Sequence, residues 1–333
     1  MEVHAQPAPA VSNEYEEGLY SIIIPLYNRK EKIARCISSV QQQTLQNFEI
    51  VVVDDASTDT SAEIVDDLAA ADRRIRLHRS TRNAGAAASR NIGFKIARGE
   101  FISLLDSDDV FHPEFLAATD AVITQHRGEP TFTRTGVRSF YDEDPQQFLE
   151  APAEVRRLWQ LPEKLRDHPL PYLYGLQFGT SAGITVTRPF LNTVGLLDDA
   201  LHAAEDTDWF IRASATTLGV PIDRVLVFKD KSGEDRLTRN YQKLFDAYEV
   251  IYAKHKDAIL DNVKIAQRIS MKIIQYALFS GHIAQAEHYY RLGHAHGAPL
   301  GKARTSIAVA RVLGPKLFMR AYLTAAKLKK DYM

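Results

Sequence analysis

Two hydrophobic periodicities alternate along the first hundred residues. YSIIIPL, from Tyr20, is an unbroken β-branched run, which predicts a strand buried on both faces. Ile33, Cys36, Ile37 and Val40 then recur at three- and four-residue spacing, which predicts a helix. FEIVVVDD reads as a second strand and SAEIVDDLAA as a second helix. IRLHRS reads as a third strand, AGAAASRNIGFKIARG as a third helix with Gly99 at its C-cap, and EFISLLD as the fourth strand. This alternation predicts an α/β fold, a mainly parallel sheet flanked by helices.

In such sheets ligands bind outside the carboxyl ends of the strands. The first strand runs into Pro25-Leu26-Tyr27-Asn28, the second into Asp54-Asp55-Ala56-Ser57 and the fourth into Asp106-Ser107-Asp108-Asp109. Any one of these aspartates alone reads most simply as a solvated turn residue, and Asp54–Ser57 as a helix cap. Their gathering on one edge points to a site. Crowded carboxylates repel one another and destabilise the fold, a cost that a divalent cation removes. Mg²⁺ and Mn²⁺ take hard oxygen ligands, and Mg²⁺ typically combines one or two carboxylates with substrate phosphates. The Asp-x-Asp turn at a strand end therefore suits a metal–diphosphate complex. A dinucleotide-binding fold needs a glycine-rich turn after its first strand, and PLYNRKEKI has none.

SIIIPLYNR, VVVDDASTDTS, RNAGAAASRNIGFKIARGEFISLLDSDD and AEDTDWFIR, in this order and spacing, resemble the family 2 glycosyltransferases, inverting enzymes of the GT-A fold, over about residues 19–230. The resemblance implies a nucleotide-sugar donor, most often a UDP-sugar, with Pro25, Tyr27 and Asn28 lining the base and ribose pocket. It implies that Asp55 accepts the uracil N3–H, while Asp54 serves the turn. Asn83, Gly85 and Arg90 match the stretch before and within the third helix, with Arg90 along the diphosphate or facing solvent. It implies Asp108 as direct ligand of Mn²⁺ or Mg²⁺ and Asp106 near the ribose or a metal-bound water. Asp109 either supports the site from behind or caps a helix starting near His112-Pro113. The Glu-Asp pair of the last motif implies Asp206 as general base, with Glu205 as fallback; otherwise both acids simply favour a helix N-terminus. Many relatives carry a further metal-binding histidine after the strand equivalent to VLVFK. FKDKSGEDRLTR has none, so Asp230 is the expected substitute ligand, or Lys229, Lys231 or Arg236 neutralise the diphosphate instead.

Three regions are expected: a flexible tail at 1–18, a GT-A domain at 19–238 (donor half 19–126, acceptor half 127–238) and a helical region at 239–333. The stretch 134–177 reads as a loop-and-helix insertion over the cleft, where Trp159, Tyr172 and Tyr174 either stack on a sugar or anchor the loop. LQFGTSAGITVTRPFLNTVGLLDDAL reads as a strand leading into the turn at Gly195.

The formal net charge of −1 gives no global attraction to nucleic acid. The one cysteine, Cys36, excludes a disulfide framework or multi-thiolate zinc site and reads as core filler. No run of 18 apolar residues and no export signal leave the cytoplasm as the default. From Gly301 onward eight Lys or Arg face one acid, so the last helix reads as a solvated basic face or a peripheral contact with an anionic membrane. The acceptor implied is a saccharide or lipid-linked saccharide, as in cell-surface polysaccharide or glycoconjugate synthesis. A nucleotidyltransferase and a non-catalytic nucleotide-sugar-binding scaffold are the alternatives.

Overall fold

The computed structural model describes residues 11–12, 14–141, 144, 146–150, 181–213, 216–232, 240–261 and 263–331. Eight strands form one sheet: β1 (Glu16–Leu26), β2 (Phe48–Asp54), β3 (Ile75–Arg79), β4 (Gly99–Leu104), β5 (Val110–Phe111), β6 (Thr131–Phe140), β7 (Ile184–Thr187) and β8 (Leu218–Asp230). Their spatial order is β3-β2-β1-β4-β7-β6-β8-β5. β3, β2, β1 and β4 are mutually parallel, as the alternating pattern predicts. β7 runs antiparallel to both β4 and β6, while β8 is parallel to β6. Two reversals restore direction, so β6 and β8 point the same way as β4. Only β7 and β5, itself antiparallel to β8, run against the rest.

The strand residues alternate between two cores. Ile22, Ile24, Ile50 and Val52 pack with Ile33, Cys36 and Val40 of helix α1 (Ile33–Gln41), Val65 of α2 (Ser61–Ala71) and Phe115 of α4 (Phe115–Ile123). Ile23, Val51, Val53 and Ile102 face the other way, onto Phe94 of α3 (Ala86–Ile96), Phe190 of α6 (Arg188–Val194) and Trp209 of α7 (Glu205–Ala213). Both faces are covered, which is why these strands read as continuous apolar runs.

Two expectations change. β1 begins at Glu16 and Val11 is buried in the second core, so the flexible tail cannot reach residue 18. Residues 134–140, expected in an insertion, are strand β6. Helix α5 (Gln146–Leu149) then packs Phe148 and Leu149 against Phe140 and Phe228. Trp159, Tyr172 and Tyr174 lie outside the described residues.

The C-terminal unit is helical, as expected: α8 (Tyr241–Lys254), α9 (Lys256–Leu260), α10 (Val263–Ser280), α11 (Ile283–Ala295), α12 (Gly301–Leu313) and α13 (Pro315–Asp331). Ile251, Ile269, Ile273 and Ala286 are buried, whereas Val312 and Leu317 stand exposed on the last two helices. Among the described residues no helix is long and apolar enough to cross a membrane.

One close approach sets where α3 lies. A Cβ at Gly93 would sit 2.4 Å from Cγ2 of Ile23, so the helix rests directly on β1. Gly93→Ala should cost about 1–3 kcal/mol through overpacking, read as a lower urea midpoint. Because the clash is with one side chain, the Gly93→Ala/Ile23→Ala double variant should be less destabilised than the sum of the singles.

Candidate functional site

The strand directions bring distant residues to one edge. β8 runs with β4, so Lys229 and Asp230 emerge on the same side as Asp106. The Asp109 N–H closes a turn onto the Asp106 carbonyl at 3.0 Å. The chain then enters β5, whose Val110 pairs with Phe228. The acidic turn thus crosses the carboxyl edge from β4 to β8.

Each aspartate of that turn meets a positive group supplied by the chain. Asp106 accepts Arg90 Nη2 at 2.7 Å on one oxygen and Lys229 Nζ at 3.1 Å on the other. Arg90 is buried and donates its second arm to Glu205 at 2.7 Å. Asp108 lies 3.5 Å from Arg29 Nε. Asp109 is fully buried; one oxygen accepts the Asp230 N–H at 3.1 Å and the other lies 3.7 Å from Lys229 Nζ. Asp230 accepts Arg35 at 2.7 Å, Lys32 at 3.0 Å and the Ser232 N–H at 2.7 Å. Five carboxylates therefore interlock with five cations.

The protonation preferences follow. Burial opposes the charge on Asp106, but Lys229 and Arg90 outweigh it and hold the carboxyl below its ordinary range. Asp109 goes the other way: burial raises it, and neighbouring aspartates add to the effect. Burial also raises Glu205, against the pull of Arg90. For Asp230 the opposing burial is overcome by Ser232, Arg35 and Lys32, which bring it down to about 2.

This network revises several sequence expectations. Arg90, read as lying along a diphosphate, has its two terminal nitrogens turned to Asp106 and Glu205. Asp109 does not cap α4, whose N-cap is Glu114 with no side-chain cap bond. The expected metal ligands Asp106, Asp108 and Asp230 do not gather round a common centre. Among the described residues no group of three or more His, Cys, Asp or Glu side chains is placed to hold a metal. Both oxygens of Asp106 and the carboxylate of Asp230 are already taken by cations. As arranged, these carboxylates are engaged by side-chain cations and offer no preformed three-ligand set among the described residues.

The donor-side residues fare differently. Asn28 has a left-handed backbone (φ 50°), and its side chain accepts the Thr58 N–H at 2.8 Å while its own N–H reaches Ser57 Oγ at 3.0 Å. The loops after β1 and β2 are thereby clipped together. Asp54 serves the turn as expected, accepting the Ser57 N–H at 3.3 Å. Asp55 is buried and accepts the N–H of Ala84 at 2.8 Å and of Gly85 at 2.7 Å, one on each oxygen. Each oxygen keeps a second lone pair for a ligand donor. Gly85 has φ 90°, open to glycine and strained for other residues. Pro25 is half-buried, and the rings and amides of Tyr27 and Asn83 are exposed.

Glu205 and Asp206 open α7. The helix is fixed by Trp209 Nε1 on the Gly195 carbonyl (2.8 Å) and by Arg212, which bonds Asp208 and the carbonyls of Val194 and Leu196. Glu205 is committed to Arg90. Asp206 is half-buried and accepts only the Thr207 N–H and hydroxyl among the hydrogen bonds described. Buried Arg134 of β6 sits close enough to Asp206 to feel its charge. Sequence reading overlooked Arg134 and the basic face Arg29, Lys32 and Arg35, although their three-residue spacing after β1 was visible.

Residues 21–184 match the sequence model of Glycosyl transferase family 2. That stretch carries the sequence pattern of the family. Among curated relatives, Glycosyltransferase GlyG of Streptococcus pneumoniae serotype 4 is 41% identical over 92 residues, 28% of this chain and 31% of that protein. Putative glycosyltransferase EpsH of Bacillus subtilis is 33% identical over 152 residues, 41% of this chain and 43% of that protein. These matches thus span less than half of the relatives' length. An uncharacterized glycosyltransferase of Haemophilus influenzae is 26% identical over 71% of this chain and 78% of its own. The fold is that of Staphylococcus aureus TarS 1-349, solved in complex with UDP-GlcNAc (TM-score 0.56, 21% identity, 78% of this chain and 72% of that one). It is also that of GalNAc-T7, solved with UDP, GalNAc and Mn²⁺ (TM-score 0.53, 17% identity, 83% of this chain and 55% of that one).

Replacing Arg90 by Met removes the partner that Asp106 and Glu205 share, leaving Asp106 with Lys229 alone, and should cost about 3–5 kcal/mol in urea unfolding. Asp230 supplies a pH test. Its folded pKa lies below the ordinary value of about 3.9, so its contribution is complete above that value and fades as pH falls toward 2. The stability gap between wild type and Asp230→Asn should be constant near neutrality and narrow between about pH 4 and pH 2.

Proposed function

We propose that the protein transfers a sugar, with inversion, from a nucleotide-sugar donor to a saccharide or lipid-linked saccharide acceptor. The observation that carries this reading is the placing of Asp206 at the start of α7, beside a Glu205 anchored through Arg90 to Asp106. A carboxylate able to accept a proton is thus held close to the strand ends where family 2 donors bind. UDP is the donor nucleotide this reading favours, since TarS and GalNAc-T7, which share the fold, were solved with UDP-GlcNAc and with UDP.

Residues on the donor side take defined tasks. The exposed Tyr27 ring offers a stacking surface for the base, with Pro25 and Asn28 shaping the pocket. Asp55, fixed by the two N–H groups of the Ala84–Gly85 turn, accepts the uracil N3–H. In the reaction the acceptor hydroxyl oxygen forms a bond to the anomeric carbon from one face. The bond from that carbon to the diphosphate oxygen breaks on the other, and its electron pair leaves with the nucleotide. Asp206 takes the hydroxyl proton as attack proceeds.

The test separates binding from chemistry. Asp206→Asn should retain UDP affinity in calorimetric titration while slowing sugar transfer, or the background hydrolysis of the donor, by about 10²–10⁴-fold. Equal loss of binding and turnover would remove Asp206 from the role of base. A scaffold without turnover would release no nucleoside diphosphate from any donor tested.

A further inference from the structure

We infer that Lys229 is the resident cation of this site, and that a nucleoside diphosphate is bound and released against its ammonium group without a divalent metal. The inference rests on the donor reading above and specifies how the leaving group is neutralised.

Three observations carry it. Asp106, which would otherwise invite a metal, has one oxygen on Arg90 and the other on Lys229, at 2.7 and 3.1 Å. Lys229 Nζ also lies 3.7 Å from Asp109 Oδ2, a buried oxygen with no hydrogen bond among the described residues. The ammonium is therefore held by two carboxylates of the acidic turn, the place a cation between them would take. Asp230, the remaining candidate ligand on this strand, is occupied by Lys32 and Arg35. A dication binding Asp106 would have to displace two permanent cations or stand beside them, and like charges at that range repel strongly.

An arriving diphosphate faces the opposite situation. The Lys229 side chain keeps 20% of its surface exposed, and Arg29 and Lys32 retain 32% and 22%. A phosphate oxygen can share these charged groups with the carboxylates that hold them. When the bond from the anomeric carbon to oxygen breaks, the electron pair settles on the terminal phosphate oxygen. Lys229 stabilises that charge by hydrogen bonding and keeps its proton, so nothing beyond donor and acceptor is consumed.

Calorimetric titration of the full chain with UDP, in EDTA and then in millimolar Mn²⁺, tests this without any variant. The expected result is the same Kd within about threefold in both buffers. UDP binding that appears only with Mn²⁺ overturns the inference while leaving the donor reading intact. Absence of UDP binding in both buffers overturns the two together. In EDTA, Lys229→Met should weaken UDP at least tenfold and Lys229→Arg should recover part of that loss; a Lys229→Met chain that melts cooperatively and binds UDP as wild type does also refutes the assignment.

Discussion

Arg90 sits where the arrangement of the site is decided. A guanidinium buried in helix α3 is tolerable only with its charge matched, and it finds Asp106 at the end of β4 and Glu205 at the start of α7. Glu205 depends on it more than Asp106, which also holds Lys229, because a buried acid without a partner is driven toward its neutral form. The planar fork of arginine makes a two-sided bridge that a lysine cannot reproduce. The close packing of Gly93 on Ile23 places the helix that carries it. A packing constraint on one face of the sheet therefore sets the electrostatics of its edge.

How much of this was legible depended on the range over which each signal acts. The runs around Ile22–Ile24 and Val51–Val53 are long, two-face-buried patterns, and they announced their strands. β5 is two residues long and exists because β8 offers an edge, so no local pattern marks it. β6 was hidden in a stretch whose charges suggested a loop, yet Arg134 and Thr135 are buried there among partners distant in sequence. The acids at the strand ends were visible as residues. Their partners were not, since pairing Asp106 with Lys229 spans 123 positions and follows from the double strand reversal around β7. Reading crowded aspartates as a demand for a metal identified the right physical problem. In the structure Arg90 and Lys229 bond Asp106, Arg29 lies beside Asp108, and Lys32 and Arg35 hold Asp230.

Backbone strain marks the same edge. Asn28 and Ala56 adopt left-handed conformations although neither is glycine, and both stand just past a parallel strand. Such geometry costs on the order of 1–3 kcal/mol per residue and persists only where surrounding bonds enforce it. Here Ser57 and Thr58 supply those bonds from the neighbouring loop. Asp55 does the same for the Ala84–Gly85 turn. The loops that would hold a base and ribose are thus organised before any ligand arrives, which reduces the ordering cost of binding.

Rigidity on the donor side has a consequence for the chemistry proposed at α7. Glu205 and Asp206 are adjacent, yet only Glu205 is drawn into the Arg90 bridge. The first acid acts as an anchor, held by charge, and the second is positioned by that anchor while keeping oxygen capacity for a proton. Swapping the two tasks would put the proposed proton acceptor in the Arg90 bridge, adding a second guanidinium to the charge of Arg134 that Asp206 already feels and weakening it further as a base. On the proposed chemistry the order Glu-Asp is therefore a functional order. It lets one network neutralise the strand-end carboxylates and fix the neighbour of the base, so that donor charge and acceptor activation depend on the same buried arginine.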